Sequence, residues 1–308
     1  MILTVTLNTA LDLTYRVPRL TPHTSHRVTE VVERPGGKGL NVARVLAALG
    51  HQVTVTGFAG GTTGAVLRDL LTQYPLTDAL VPVTGNTRRT IAVADAASGD
   101  TTQLNEPGPA ITSTEWHAFL ARYTELLHTC EAVALCGSLP PGIHVGAYAD
   151  LVRRARAAGV PVLLDTSGEP LRRGIAARPD LIKPNAGELA ELTGSRDPLR
   201  ATLDARRRGA HTVVASLGPD GLLAATPRGT WQATPPRGLK GNPTGAGDSA
   251  VAGLLSALAE AQDWPTRLTR AVALSAATVL APVAGEFDHE TYEAMLPRVT
   301  VTEHARAA

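Results

Sequence analysis

Cysteine is almost missing from this chain: Cys130 and Cys136 are the only two among 308 residues, with no C-x-x-C spacing and no second pair. Neither a disulfide framework nor a zinc site follows from them. Excess charge is missing as well. The formal net charge is +1, and the clusters Arg153-Arg154, Arg172-Arg173 and Arg206 to Arg208 lie among Ala and Leu on predicted helix surfaces, not in a basic stripe. Nucleic acid is therefore not expected as a partner. No apolar run approaches the roughly 18 residues that span a bilayer, and no basic stretch followed by an apolar segment opens the chain. The expectation is a cytoplasmic protein without membrane contact. Repeats and low-complexity segments are lacking too.

What is present is an ordinary globular composition, 44% hydrophobic and 19% charged, in a length that suits one large α/β domain or two smaller ones. Short β-branched runs alternate with longer helical periods, the pattern of a parallel sheet covered by helices. Strands are predicted at Ile2 to Leu7, Gln52 to Thr56, Ala132 to Leu135, Val160 to Leu164, Leu181 to Lys183 and Thr212 to Ser216. Helices are predicted at Leu40 to Leu49, Ala65 to Leu71 and Tyr148 to Ala158, and Thr112 with Glu115 forms a capping box for a helix running toward Leu127. Two stretches, Arg27 to Glu33 and Thr90 to Gln103 with a turn at Ser98-Gly99-Asp100, read instead as antiparallel strands of a small appended sheet. Over the carboxyl ends of the parallel strands such a sheet would act as a lid. The residues from Thr302 to Ala308 read as a frayed tail.

Five segments bear on chemistry. In Asn242-Pro243-Thr244-Gly245-Ala246-Gly247-Asp248-Ser249, two glycines precede the apolar run Ala250 to Leu258. Glycine lets the backbone approach a ligand, and the following helix start points free N–H groups and roughly half a positive charge at it. That suits a γ-phosphoryl group, with Asp248 in the first turn either acting on the ligand or merely capping the helix. Gly36-Gly37-Lys38-Gly39-Leu40-Asn41 also leads into a helix but lacks the spacing of a Walker A loop. An ammonium and an amide beside open backbone suit a polyhydroxylated, phosphorylated ligand, whereas simple helix–sheet packing would explain the glycines and not Lys38.

In Lys183-Pro184-Asn185-Ala186-Gly187-Glu188, the Asn185 and Glu188 side chains can meet at a strand's carboxyl end. They suit either a Mg²⁺ ion held mainly through water or a capping box. Ser216-Leu217-Gly218-Pro219-Asp220-Gly221 reads as a turn that borders adenine and ribose or only joins strands. Gly57 to Gly64 misses the first glycine of G-x-G-x-x-G, because Ala59 stands there, and reads as a strand-to-helix turn lining the sugar site.

Taken in order, these segments resemble the PfkB branch of the ribokinase-like carbohydrate kinases across nearly the whole chain. Gly36 to Asn41 is similar to the family's N-terminal signature, Asn242 to Ser249 to its C-terminal signature, and Asn185 with Glu188 to its N-x-x-E magnesium element. The resemblance implies a three-layer α/β/α fold with a mostly parallel central sheet and a small β-sheet lid. It also implies a single kinase domain over residues 1–308, with lid strands from about 12–34 and 87–106. Asp248 would be the catalytic base, with Gly245, Ala246 and Gly247 presenting amides to the phosphoryl group. Thr6 to Asp12 and Cys136 to Gly142 are similar to the subgroup that phosphorylates sugar phosphates. By that likeness Asp12, Gly37 and Asn41 hold sugar hydroxyls, and Gly36 and Ser138 complete the acceptor side. Arg27, Lys38 and Arg88 neutralise the acceptor's own phosphate. Lys183, Asn185, Ser216, Gly218 and Gly221 serve ATP, and Glu188 with Asn185 serves Mg²⁺.

The implied reaction is ATP-dependent phosphorylation of a ketohexose phosphate to the bisphosphate, with fructose 1-phosphate as first acceptor and tagatose 6-phosphate or fructose 6-phosphate as alternatives. A kinase for an unphosphorylated sugar or nucleoside and a non-catalytic nucleotide sensor are the remaining readings. Two departures bear on this: Thr9 stands where the family usually has Pro, and Thr90 and Ala92 stand where 1-phosphofructokinases carry Asn and Lys, so that Thr87 to Ala92 is more similar to tagatose-6-phosphate kinases. A homodimer is implied by the family alone.

Overall fold

The computed structural model describes residues 1–281 and 285–304. Two sheets organise the chain. The strands of the large sheet are β1 (Ile2–Thr6), β4 (Val53–Gly60), β5 (Leu76–Asp78), β6 (Val81–Val83), β9 (Ala132–Cys136), β10 (Val162–Asp165), β11 (Leu181–Ile182), β12 (Thr212–Ser216), β13 (Leu222–Ala225), β14 (Thr230–Thr234) and β15 (Thr300–His304). Their order is β15-β14-β13-β12-β11-β10-β9-β1-β4-β5, with β6 also paired to β4. From β12 to β5 every pairing is parallel, while β12 to β15 form an antiparallel extension.

Alternation explains the layers. Along β9 and β10, Val133, Leu135, Val162 and Leu164 face one hydrophobic core, while Ala132, Ala134, Cys136 and Leu163 face the other. A strand buried on both faces reads as a continuous apolar run, as ILTVT and AVALC do. Helices α3 (Ser113–Leu127), α4 (Ala147–Ala157), α5 (Gly168–Ala176), α6 (Ala186–Thr193) and α7 (Pro198–Arg207) cover the first core. Helices α1 (Lys38–Ala48), α2 (Gly61–Leu71), α8 (Ala246–Ala259), α9 (Trp264–Leu280) and α10 (His289–Met295) cover the second. The expected three layers are present, and the Thr112 capping box opens α3 with both reciprocal hydrogen bonds.

The small sheet has the order β3-β2-β7-β8, from β2 (Ala10–Val17), β3 (Glu30–Gly36), β7 (Arg88–Asp95) and β8 (Thr101–Asn105). Two expectations change here. The antiparallel pair anticipated from Arg27 to Glu33 and Thr90 to Gln103 is interrupted by β2, which pairs parallel to β7 and antiparallel to β3. The alternation of Leu11, Leu13, Tyr15 and Val17 is the signal for this strand. The tail expected to fray from Thr302 contributes its first three residues to β15, where the β-branched run Thr300 to Thr302 continues through Glu303 and His304 in register with β14; residues 305–308 lie outside the described residues.

The two sheets meet where β1 ends, and the strand order reverses between β1 and β9. Such a switch point leaves a crevice at the carboxyl ends of the strands. Close approach at this point needs glycine: Gly57 pairs with Thr6, has φ 146°, and a Cβ on it would lie 1.8 Å from the Thr6 carbonyl oxygen. Backbone on both sides leaves nothing to yield. Gly57→Ala is therefore expected to cost on the order of 3 kcal/mol or more. Gly50→Ala, with φ 88° but no atom within 4 Å of the new Cβ, should cost about 1 kcal/mol; urea midpoints of the two variants check the difference.

Candidate active site

The crevice holds an open cavity of about 790 Å³, lined among others by Asn8, Gly37, Lys38, Arg88 and Ser138. Each comes from a carboxyl end or from the small sheet. Asn8 follows β1, Ser138 follows β9, Gly37 caps α1 with Lys38 as its first residue, and Arg88 opens β7. Asn8 ties the parts together. Its Nδ2 donates to Ser138 Oγ at 3.1 Å and to the Pro107 carbonyl at 3.1 Å, while its own carbonyl accepts from Arg88 Nε at 3.2 Å. Arg88 Nη1 also donates to the Glu106 carbonyl at 3.3 Å, so the guanidinium is held by main-chain oxygens and keeps its charge for a ligand.

The second half of the site is the mouth of α8. Gly245 caps this helix in the left-handed region at φ 83°, and no side chain takes up the first amides. Gly247 is exposed there, whereas Asp248 is buried. The Asp248 carboxylate accepts a hydrogen bond from Asn41 Nδ2 at 2.8 Å. Asn41 is oriented in turn by Arg44 Nη2, which donates to Asn41 Oδ1 at 2.9 Å, and Arg44 is itself buried and donates through Nη1 to the Pro35 carbonyl at 3.2 Å. The two glycine-rich segments, 207 residues apart in sequence at this hydrogen bond, thus converge on one carboxylate. A position in the first turn of a helix favours a carboxylate's charged form. Burial outweighs it and, against the pull of Lys38 and the Asn41 hydrogen bond and with added repulsion from Asp165, pushes the Asp248 pKa up to about 6. That is a carboxylate able to accept a proton near neutral pH.

Between the halves lies a group that sequence reasoning missed. Asp165, the last residue of β10, is 1% exposed, with Lys38 Nζ 3.5 Å from Oδ2 and Lys183 Nζ 3.6 Å from Oδ1. The Asp165 carboxylate holds the Lys38 ammonium well above the usual lysine range. Lys183 is buried, and its Nζ lies 3.7 Å from where a side chain on Gly247 would begin. The predicted strand stopped at Leu164; a charged residue ending a doubly buried run was the available signal. Arg44, one helical turn beyond Asn41, was missed in the same way.

On the acceptor side, Gly36 ends β3 so close to Asp12 that a Cβ would overlap its carboxyl group. Asp12 pairs in register with Thr90, and burial raises its pKa despite the nearby Arg44 and Arg88. Arg27 is not brought to this cavity. It is exposed and precedes Thr29, whose amide donates to the Arg16 carbonyl near the end of β2 farthest from Ala10, so strand length separates it from Arg88 within one chain. The stretch from Gly57 to Gly60 is likewise buried strand, not a turn, and α2 starts at Gly61.

At the other end, Asn185 and Glu188 form a complete capping box for α6: Asn185 Oδ1 accepts from the Glu188 amide at 2.9 Å, and Glu188 Oε2 accepts from the Asn185 amide at 2.8 Å. The cap uses one acceptor site on Asn185 Oδ1 and one on Glu188 Oε2 and leaves Glu188 Oε1 without a part in it. Ser216 adjoins Asn185 through a parallel bridge, and Gly218 and Gly221 bound a short turn closed by the Leu217 amide on the Gly221 carbonyl at 2.8 Å.

A buried carboxylate facing uncapped helix amides, two flanking lysines and a cation-lined cavity can take a proton from a hydroxyl and receive a phosphoryl group. Comparison with known proteins agrees. The model of the pfkB family of carbohydrate kinases matches residues 3–290. The crystal structure of a protein described as a possible 1-phosphofructokinase from Thermotoga maritima is 28% identical with a TM-score of 0.91, covering 99% of this chain and 100% of that one. Phosphofructokinase-2 from Escherichia coli is 32% identical, covers 96% and 98%, and has a TM-score of 0.88 both in complex with fructose-6-phosphate and in its tetrameric inhibited form. The chain belongs to the pfkB family of carbohydrate kinases and is an ATP-dependent kinase.

Proposed function

We propose that the acceptor is a ketohexose phosphate and the product its bisphosphate, with fructose 1-phosphate as the first candidate. The observation that carries this is the pair of cations, Lys38 and Arg88, lining the cavity beside the base. A neutral sugar needs hydroxyl partners; a phosphomonoester dianion needs charge-assisted donors, and Arg88, with Nε and Nη1 tied to Asn8, Glu106 and Thr90, offers its Nη2 group beside the Lys38 ammonium. A second reading, fructose 6-phosphate, is favoured by the 32% identity to the Escherichia coli enzyme crystallised with that sugar phosphate. Thr90, whose hydroxyl accepts from Arg88 Nη1 at 3.4 Å where 1-phosphofructokinases carry Asn, keeps tagatose 6-phosphate as the other alternative.

In this reading Asp248 takes the proton of the acceptor's free primary hydroxyl while that oxygen attacks the γ-phosphorus in line and the bond to the ADP oxygen breaks. The amides from Gly245 to Asp248 and the Lys183 ammonium receive the phosphoryl oxygens. Asp12, Asn41, Gly37 and Ser138 orient the sugar, and Ser216, Gly218 and Gly221 border the nucleoside. Mg²⁺ fits these residues: the Glu188 carboxylate beside the Asn185 amide suits an ion that keeps most of its waters. When bound, it neutralises charge on the β- and γ-phosphates.

The whole chain acts as one kinase unit in the cytoplasm, with the small sheet as its lid. Register divides that sheet into two faces. Arg88, Thr90, Asn105 and Asp12 share one; Leu13, Tyr15, Val31, Ile91, Val93 and Leu104 share the other, on which Val31 and Leu104 are more than half exposed. A second lid covering this apolar face in a homodimer accounts for it.

A coupled ADP-release assay on fructose 1-phosphate, fructose 6-phosphate and tagatose 6-phosphate identifies the acceptor; turnover only of unphosphorylated sugars or nucleosides would overturn the reading. Asp248→Asn is expected to keep ATP binding and lose about 10² to 10⁴ in kcat. Because the base works unprotonated, kcat/KM of the parent should fall as pH drops through about 6. Asn41→Leu removes a hydrogen bond to the charged form and should move that limb upward. Lys38→Ala and Arg88→Ala should raise KM for the sugar phosphate about tenfold or more while leaving KM for ATP within a factor of about two.

A further inference from the structure

Asp165 has no role in the chemistry above, yet its setting is costly. The carboxylate is 1% exposed, and among the described residues neither oxygen accepts a hydrogen bond. A buried charge without such partners is normally unfavourable unless opposite charges compensate it. Here the compensation comes from two lysines at 3.5 and 3.6 Å, wider than the roughly 2.8 Å of a committed ammonium–carboxylate hydrogen bond. At that spacing each ammonium is attracted without giving up its donors, and a lysine has three.

The lysines belong to different halves of the site. Lys38 lines the acceptor cavity, and Lys183 stands over Gly247 at the mouth of α8. In the large sheet β10 lies between β9, which leads to Ser138, and β11, which leads to Lys183 and Asn185. Asp165 is therefore at the boundary. Without its charge the two ammonium groups would repel each other, and the nearest remaining anion would be the base itself, Asp248, which interacts electrostatically with both. A lysine settled on Asp248 would occupy the oxygen that has to accept the proton.

We infer that Asp165 is a positioning residue shared by both substrates: it holds Lys38 for the phosphate-bearing acceptor and Lys183 for the phosphates of ATP, and keeps both off the base. This rests on the roles of Lys38 and Lys183 proposed above.

The test is Asp165→Asn, which keeps the shape and removes the charge, made alone and in the Lys38→Ala background, with both KM values and thermal melting measured. Alone, it should raise KM for sugar phosphate and for ATP, each by about tenfold or more. In the Lys38→Ala background it should still raise KM for ATP but change KM for the sugar phosphate by no more than about twofold, since that effect runs through Lys38. Unchanged KM values in a normally melting protein, or a full acceptor effect persisting without Lys38, would overturn the inference and leave the proposed function standing. Should Lys38→Ala by itself leave the acceptor KM unchanged, the reading of Lys38 fails and this inference with it. If Asp165→Asn does not melt cooperatively, Asp165→Ser takes its place; failure of both to fold would make Asp165 a structural residue and reject the positioning role.

Discussion

Two carboxylates and two ammonium groups crowd the carboxyl ends of β10, β11 and the start of α8, and the site depends on how their charges are shared. In the proposed mechanism Asp248 must be buried to be a base of useful strength and yet must not be neutralised by a permanent partner. Asn41 resolves part of this by giving Asp248 a neutral donor at 2.8 Å in place of an ion pair. Asp165 resolves the rest by drawing the lysines to itself. The cluster Asp165, Asp248, Lys38 and Lys183 carries no net charge when all four are ionised, which lowers the cost of gathering them inside a protein. Incoming phosphates then meet lysine donors that are oriented but uncommitted.

This arrangement follows from the order of strands more than from any single motif. Parallel strands direct all their carboxyl ends to one edge, so Asn8, Ser138, Asp165, Lys183 and Ser216, far apart in sequence, form a row along it. One end of the row faces the small sheet and suits a phosphorylated acceptor; the other faces the turn at Gly218 and suits a nucleotide. Between them, the mouth of α8 presents amides that no side chain caps. The proposed chemistry falls where the row and the helix mouth cross.

Much of this was legible in the sequence. Doubly buried strands announce themselves as β-branched runs such as Thr212 to Ser216, and Lys38 stood out because packing explained the glycines on either side but not the charge between them, while Asp248 was marked by the glycine turn before a helix. What was not legible depends on partners distant in sequence. The β2 strand was hidden within a segment read for its ligand groups, although Leu11, Leu13, Tyr15 and Val17 alternate. Asp165 is an ordinary aspartate until Lys38 and Lys183 are brought to either side of it. Local pattern also cannot say how far along a strand a residue lies from the site, and Arg27 was assigned to a cavity that the β2–β3 hairpin carries it away from. For Asn185 and Glu188 the opposite held: the capping box was visible from spacing alone, and it formed.

The small sheet joins the core through Leu7, Asn8 and Thr9, all buried. Thr9 Oγ1 donates to the Phe58 carbonyl, and Asn8 is bonded on three sides, to Pro107, Ser138 and Arg88. A linker anchored in this way cannot serve as a free pivot. For a sheet proposed as a lid, the anchored root at Ala10 and Gly36 favours a torsion that grows toward Arg16 and Glu30, which would leave the groups proposed to read the acceptor in their geometry as the far rim moves.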